Sequence, residues 1–264
     1  MIHALKVALG GGDLSPPVVT VTVFWMICII YYALVEACPY TLMMTRAALP
    51  DAWWGAWAYM LMHVSKVHLW GCLMSWVVYG AWFELVHGSI ALVAVLAVSA
   101  PLGSFIHALR NDGPIVGLSP VVFGLMSAPI VAIAINWREL PYPLMRLAAY
   151  VPLAAMVIWL QATAPPEVSV AAHMAGALGG FLVACVVCRN AVLVRWEAWL
   201  AVAAAVAVIG LGVAAPIADS DLWIYFLALG LPGLALLARA VMHLVALGTR
   251  LQIIQPGDEM ARSL

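Results

Sequence analysis

The chain has 264 residues, of which 66% are hydrophobic and 9% charged, with a formal net charge of −1. A soluble domain is about 45–50% apolar and about 25% charged, so a water-soluble enzyme and a disordered polymer are both excluded. The near-neutral balance gives nucleic acid no basic surface to bind.

A spanning helix needs about 17–25 mostly apolar residues. Stretches of that length without Asp, Glu, Lys or Arg occur at Leu14–Val35, Val67–Phe83, Gly88–Leu109, Gly113–Trp137, Leu147–Pro166, Val168–Cys188, Ala198–Ala218 and Leu222–Ala238. No alternation at period two competes, as outer-membrane strands would require. The expected class is an all-α polytopic membrane protein: a six-helix core over 1–190, then an accessory transmembrane hairpin and short tail over 191–264.

Eight spans place Lys6, Arg138, Arg146, Arg189, Arg195, Arg239, Arg250 and Arg262 on the N-terminal side, against Arg46, Lys66 and Arg110 on the other. The positive-inside rule then puts both termini in the cytoplasm. The expected location is the inner (cytoplasmic) membrane of a bacterium, with the first span retained as a signal anchor because no cleavage site follows it. The connection Glu36–Lys66 is rich in Trp, Tyr and Met. Trp53, Trp54 and Trp57 suit the lipid–water boundary, so this loop is expected to lie at the outer interface. Cys185 and Cys188 fall within one apolar helix and read as buried small side chains rather than a redox or metal pair.

Polar side chains inside a bilayer are costly and mark functional sites by default. His63, His68, Ser119 and His173 are the informative ones. With the N-terminus inside, spans two, four and six all start at the outer face. His68 opens the second, Ser119 the fourth, and His173 lies in the first turns of the sixth, so topology alone brings them to one depth.

Ser119 stands in Gly117-Leu118-Ser119-Pro120. Ser before Pro is a helix start, with Ser as N-cap and Pro at the first position. Pro120–Trp137 would then be about 27 Å long, which barely spans the hydrocarbon. Gly113–Leu118 must therefore enter the membrane as non-helical backbone, covered by protein or lining a wet cavity. A simple cap is the plain alternative to a nucleophile. His173, Gly176 and Gly180 share a helix face, and Ala172, Gly176 and Gly180 form a small-residue ridge that lets helices approach closely. A satisfied interfacial histidine is the alternative there. Phe123 lies one turn beyond Ser119, where it can stack on an imidazole or simply pack. His68 and Cys72 share a face of the second span. No His-Glu-x-x-His pattern occurs, and no metal site is expected.

At these residues the sequence resembles the rhomboid family of intramembrane serine proteases. Gly117-Leu-Ser119-Pro-Val-Val-Phe123 is similar to its Gly-x-Ser-Gly segment with an aromatic one turn on. Ala172-His173-Met-Ala-Gly176-Ala-Leu-Gly-Gly180 resembles its His-x-x-Gly-x-x-x-Gly segment. His63-Val-Ser-Lys-Val-His68-Leu-Trp-Gly-Cys72 resembles its second-helix pattern at both histidines, and Gly80-x3-Glu84-x3-Gly88 resembles the turn into the third. The segments run in family order from His63 to Gly180.

The resemblance implies a Ser119–His173 dyad, with the Ser119 N–H and His68 stabilising the oxyanion. It implies a transmembrane protein substrate cut near the outer membrane boundary, in a lipid bilayer, with no cofactor. Two positions depart from the pattern. Cys72 replaces the family's Asn, and a thiol is a weak donor. Pro120 replaces its second Gly and lacks an N–H. The first loop also lacks a Trp-Arg pair, with Arg46 apart from its tryptophans. A non-enzymatic member that binds transmembrane segments is the alternative these departures support. A small-solute transporter would need inverted repeats with paired broken helices, which the spans do not display. Oligomeric state is not encoded in any of these features.

Overall fold

The structure is a computed structural model that describes residues 17–34, 42–48, 51–110, 113–138, 140, 142–148, 168–188, 195–218 and 224–254. In chain order its helices are α1 (Val18–Leu34), α2 (Gly55–Ala58), α3 (Lys66–Ser75), α4 (Ala81–His87), α5 (Ser89–Arg110), α6 (Ser119–Ile135), α7 (Pro143–Ala148), α8 (Val170–Val187), α9 (Arg195–Ala218) and α10 (Ile224–Ile254). The protein is an all-α polytopic membrane protein. Among the described residues, Lys66–His87, Ser89–Arg110, Val170–Val187 and Ile224–Met242 are long and apolar enough to cross a bilayer. Shorter apolar helices lie at Val18–Ala33, Ser119–Ile135 and Trp199–Ala214. Most of the expected fifth span, Leu147–Pro166, and the cysteine at Cys38 lie outside the described residues.

The second span is longer than the charge-free stretch suggested. A π-helical turn at Trp76–Gly80 joins α3 to α4 without a break, and the helix continues past Phe83 to His87. Glu84 had marked the expected limit, yet it lies inside the fold, fully buried. Its carboxylate accepts hydrogen bonds from the Val19 N–H (2.9 Å), the Thr20 N–H (2.8 Å), the Thr20 hydroxyl (2.8 Å) and the Ser89 hydroxyl (2.7 Å). Two of these donors are first-turn amides of α1, which have no acceptor within their own helix, and an anion at a helix N-terminus is favoured by the dipole. The Trp76 indole N–H adds a bond to the Thr20 carbonyl at 2.9 Å. Glu84→Ala strands several buried donors at about 1–3 kcal/mol each. Thermal unfolding in detergent is expected to show a loss of at least about 3 kcal/mol, with Glu84→Gln intermediate.

α6 and α8 are parallel and joined along their length. Near their starts Ser119 meets His173, and at their ends the Asn136 amide donates to the Cys188 carbonyl at 2.7 Å. Between these, the Ser127 hydroxyl donates to the Ala177 carbonyl at 2.6 Å. Small residues permit the approach. A Cβ on Gly176 would stand 2.6 Å from the Pro120 carbonyl carbon, and one on Gly180 would stand 2.6 Å from the Gly124 Cα. α5 packs on the same seam, since a Cβ on Gly179 would lie 2.8 Å from the Ser99 Cα. Cys185, on α8, and Cys188, its C-cap, are buried and not joined in a disulfide.

The aromatic connection before α3 is exposed at some residues and buried at others. Trp53 and Trp54 are exposed, but Tyr59, Met62 and His63 are buried. Met44 pairs with Ile115 through two backbone hydrogen bonds, and the Tyr59 hydroxyl donates to the Ala100 carbonyl at 2.8 Å. This segment therefore covers the non-helical stretch before Ser119. α9 and α10 pack against each other, and α10 reaches α5 through the Tyr225 hydroxyl, which donates to Ser104 Oγ at 3.0 Å.

Candidate active site

The site is built on helix starts. Residues 113–118 run as non-helical backbone, held by the Met44–Ile115 pairing and by the Gly117 N–H, which donates to the Tyr59 carbonyl at 3.0 Å. Gly117 has φ +108°, a left-handed conformation that disfavours a side chain. A Cβ there would also come within 2.6 Å of the His68 ring. Glycine thus turns the chain into α6 and leaves room for an imidazole beside the turn.

The expected capping role of Ser119 is not what the structure holds. Leu118 is the N-cap residue, its carbonyl accepting from the amides of Val121 and Val122, and Ser119 begins the helix. Pro120 follows in the first turn, where a missing N–H leaves no intrahelical bond unmade. The Ser119 hydroxyl, relieved of capping, lies 2.8 Å from His173 Nε2. With the imidazole proton on Nδ1, the hydroxyl is the donor. The His173 ring stacks on Phe123, with centroids 4.5 Å apart and planes 7° apart. Stacking on a side chain of α6 itself fixes the imidazole relative to Ser119. His173 is buried and Ser119 half-buried, so Ser119 is the more accessible residue of the pair.

His68 and His63 flank the pair. Ser65 caps α3, accepting the His68 N–H at 3.1 Å, which sets the His68 ring beside Gly117 and within electrostatic reach of His173. His63 and His68 meet edge to face, with centroids 5.2 Å apart. His63 lies before the second span; burial, with His68 beside it, pushes its imidazole down to about 3. It is therefore neutral, and Nε2 accepts the Leu118 N–H at 3.4 Å. Cys72 is buried on α3, and its thiol also faces the Leu118 amide. Gly176 and Gly180 lie on the α6–α8 seam described above. Among the described residues no three His, Cys, Asp or Glu side chains are grouped to hold a metal ion.

The structure adds residues that motif spacing did not single out. His107, at the end of α5, is buried and bonds Ser169 Oγ through Nδ1 and the Gly113 carbonyl through Nε2, both at 3.0 Å. Ser169 caps α8, accepting the Ala172 N–H. Gly103 lies against Pro120, since a Cβ there would be 2.7 Å from the Pro120 Cβ. Ser99, Gly103 and His107 recur every four residues, so one face of α5 carried a readable stripe toward the site.

A Rhomboid domain model matches residues 50–190, a span that contains every residue of this site. The chain belongs to the rhomboid family. It is similar to human rhomboid-related protein 3, 29% identical over 149 residues covering 52% of this chain and 37% of that protein. It is also similar to mouse rhomboid-related protein 2, 28% identical over 168 residues covering 58% of this chain and 55% of that protein. The matched region thus spans about a third to a half of the length of these curated relatives.

Proposed function

We propose that this protein is an intramembrane serine endopeptidase that cleaves transmembrane-protein substrates near the outer membrane boundary. One observation carries the reading: the 2.8 Å hydrogen bond between Ser119 Oγ and His173 Nε2, at the starts of two parallel apolar helices. Ser119 attacks a peptide carbonyl while His173 takes the hydroxyl proton, then returns it to the departing amine. Water, deprotonated by the same imidazole, releases the acyl group. The oxyanion would be met by the Ser119 N–H, which precedes the first intrahelical bond of α6, and by the adjacent His68. Inner-membrane placement with both termini cytoplasmic belongs to this reading and rests on the Lys and Arg distribution. So does the division into a core over 1–190 and an accessory hairpin over 191–264.

The test is covalent labelling in native membranes by a fluorophosphonate or isocoumarin probe. Labelling located at Ser119 and abolished by Ser119→Ala supports the nucleophile. A protein that remains unlabelled at high probe concentration, while folded, removes the enzymatic reading. Cys72 favours a second reading, in which the same fold binds transmembrane segments without cutting them, because a thiol donates weakly where a carboxamide would hold an oxyanion. Substrate retention by both wild type and Ser119→Ala, with no cleaved product from either, is the outcome that reading requires.

A further inference from the structure

The His107 ring joins the chain segments that carry Ser119 and His173. The Gly113 carbonyl can only accept, so His107 Nε2 carries the proton and donates to it. Nδ1 is then bare and accepts the Ser169 hydroxyl proton. That leaves the Ser169 oxygen a lone pair for the Ala172 N–H at 3.4 Å, while the Ser169 carbonyl accepts the His173 N–H at 3.2 Å. Every donor in this chain faces an acceptor with a single assignment of protons. The bonds cross 62 residues of sequence to Ser169, four residues before His173, and reach Gly113, six residues before Ser119.

The geometry points to His107 as a positioning residue for the Ser119–His173 pair. It fixes the entry of α6 and the cap of α8 to one rigid ring at the end of α5. This rests on the proposed function for its catalytic consequence, but not for its geometric one. Without the ring, the non-helical stretch before Ser119 keeps its ties to Met44 and Tyr59 but loses its tie to α8. The start of α8 keeps the contact of Gly176 with Pro120 yet loses its orienting hydroxyl bond. The two groups that must stand at hydrogen-bond reach then drift relative to each other, and a 1 Å misplacement costs about 100-fold in rate.

The experiment compares His107→Leu with His107→Gln in the full chain. Leucine fills the space without polar atoms; glutamine supplies one acceptor and one donor. The expected result is a fall of about 10- to 100-fold in probe labelling at Ser119 and in kcat for His107→Leu, with KM little changed and substantial recovery in His107→Gln. Imidazole nitrogen NMR of histidine-labelled protein provides an arm free of activity: the His173 resonances shift in His107→Leu and return toward wild type in His107→Gln. Equal labelling and unshifted His173 resonances in both variants overturn the inference. If wild type itself does not react with the probe, the enzymatic reading falls, and the NMR comparison still decides the positioning claim.

Discussion

Replacing His173 by alanine is expected to slow cleavage of a single-span substrate in proteoliposomes by at least about 10⁴-fold. Ser119→Ala should be equally severe, and the double substitution no worse than either alone, because nucleophile and base act as one unit. The size follows from His173 being the hydrogen-bonded partner of the Ser119 hydroxyl, while the His68 and His63 rings face Gly117 and the Leu118 amide. Alanine at 173 also leaves Phe123 without its stacked partner, but that packing loss alone cannot produce so large a rate effect. The control is Phe123→Leu, which keeps both reacting groups. It should lose far less activity, through looser placement of the imidazole. Residual cleavage by the double variant at the wild-type rate would place the chemistry elsewhere.

Gly180→Val is expected to produce a large loss of stability. Its side chain would drive into the backbone of Gly124, and backbone cannot swing aside as a flexible side chain can. Overpacking typically costs about 1–3 kcal/mol and occasionally more, and about 3 kcal/mol is expected here. Gly176→Ala acts through the same seam but nearer the pair: its methyl group meets the Pro120 carbonyl. That pushes His173 away from Ser119, so activity should fall about 100-fold with a smaller change in thermal midpoint. Gly71→Ala and Gly210→Ala are the matched controls, since nothing lies within 4 Å of a Cβ at either. Both should be neutral or stabilising by up to about 1 kcal/mol, the helix-propensity difference. Unfolding curves in one detergent, read beside probe labelling, separate the two effects.

The Ser119 and His173 pairing could be anticipated because topology alone sets the depth of a helix start, and both residues sit beside helix-start chemistry. The same reasoning put the start of α6 one residue too late. Sequence proximity favours a Ser-Pro cap, whereas the backbone of Leu118 takes that place and the hydroxyl turns to α8. The ridge at Gly176 and Gly180 was visible as spacing. Its partners, Pro120 and Gly124, were not, because contact between distant segments leaves no local signature. Glu84 and His107 illustrate the same limit. Their partners are mainly backbone groups or small hydroxyls, some more than 60 residues away, and an amide or carbonyl looks alike at every position of a sequence. The aromatic stretch before α3 was expected at the outer interface, but which of its side chains are buried was not legible: Trp53 and Tyr59 are both amphipathic, and only the fold decides which is exposed and which reaches the Ala100 carbonyl.

The parallel pair α6 and α8 approaches backbone to backbone at two levels, Gly176 on Pro120 and Gly180 on Gly124, and is laced by three side-chain bonds. Such a seam has almost no slack: sliding it by a fraction of an ångström would collide main-chain atoms, and separating it would break the Ser127 and Asn136 bonds to the Ala177 and Cys188 carbonyls. Any breathing of the bundle must therefore be borne by walls other than this one, leaving Ser119 and His173 on a fixed anvil while the rest yields around them.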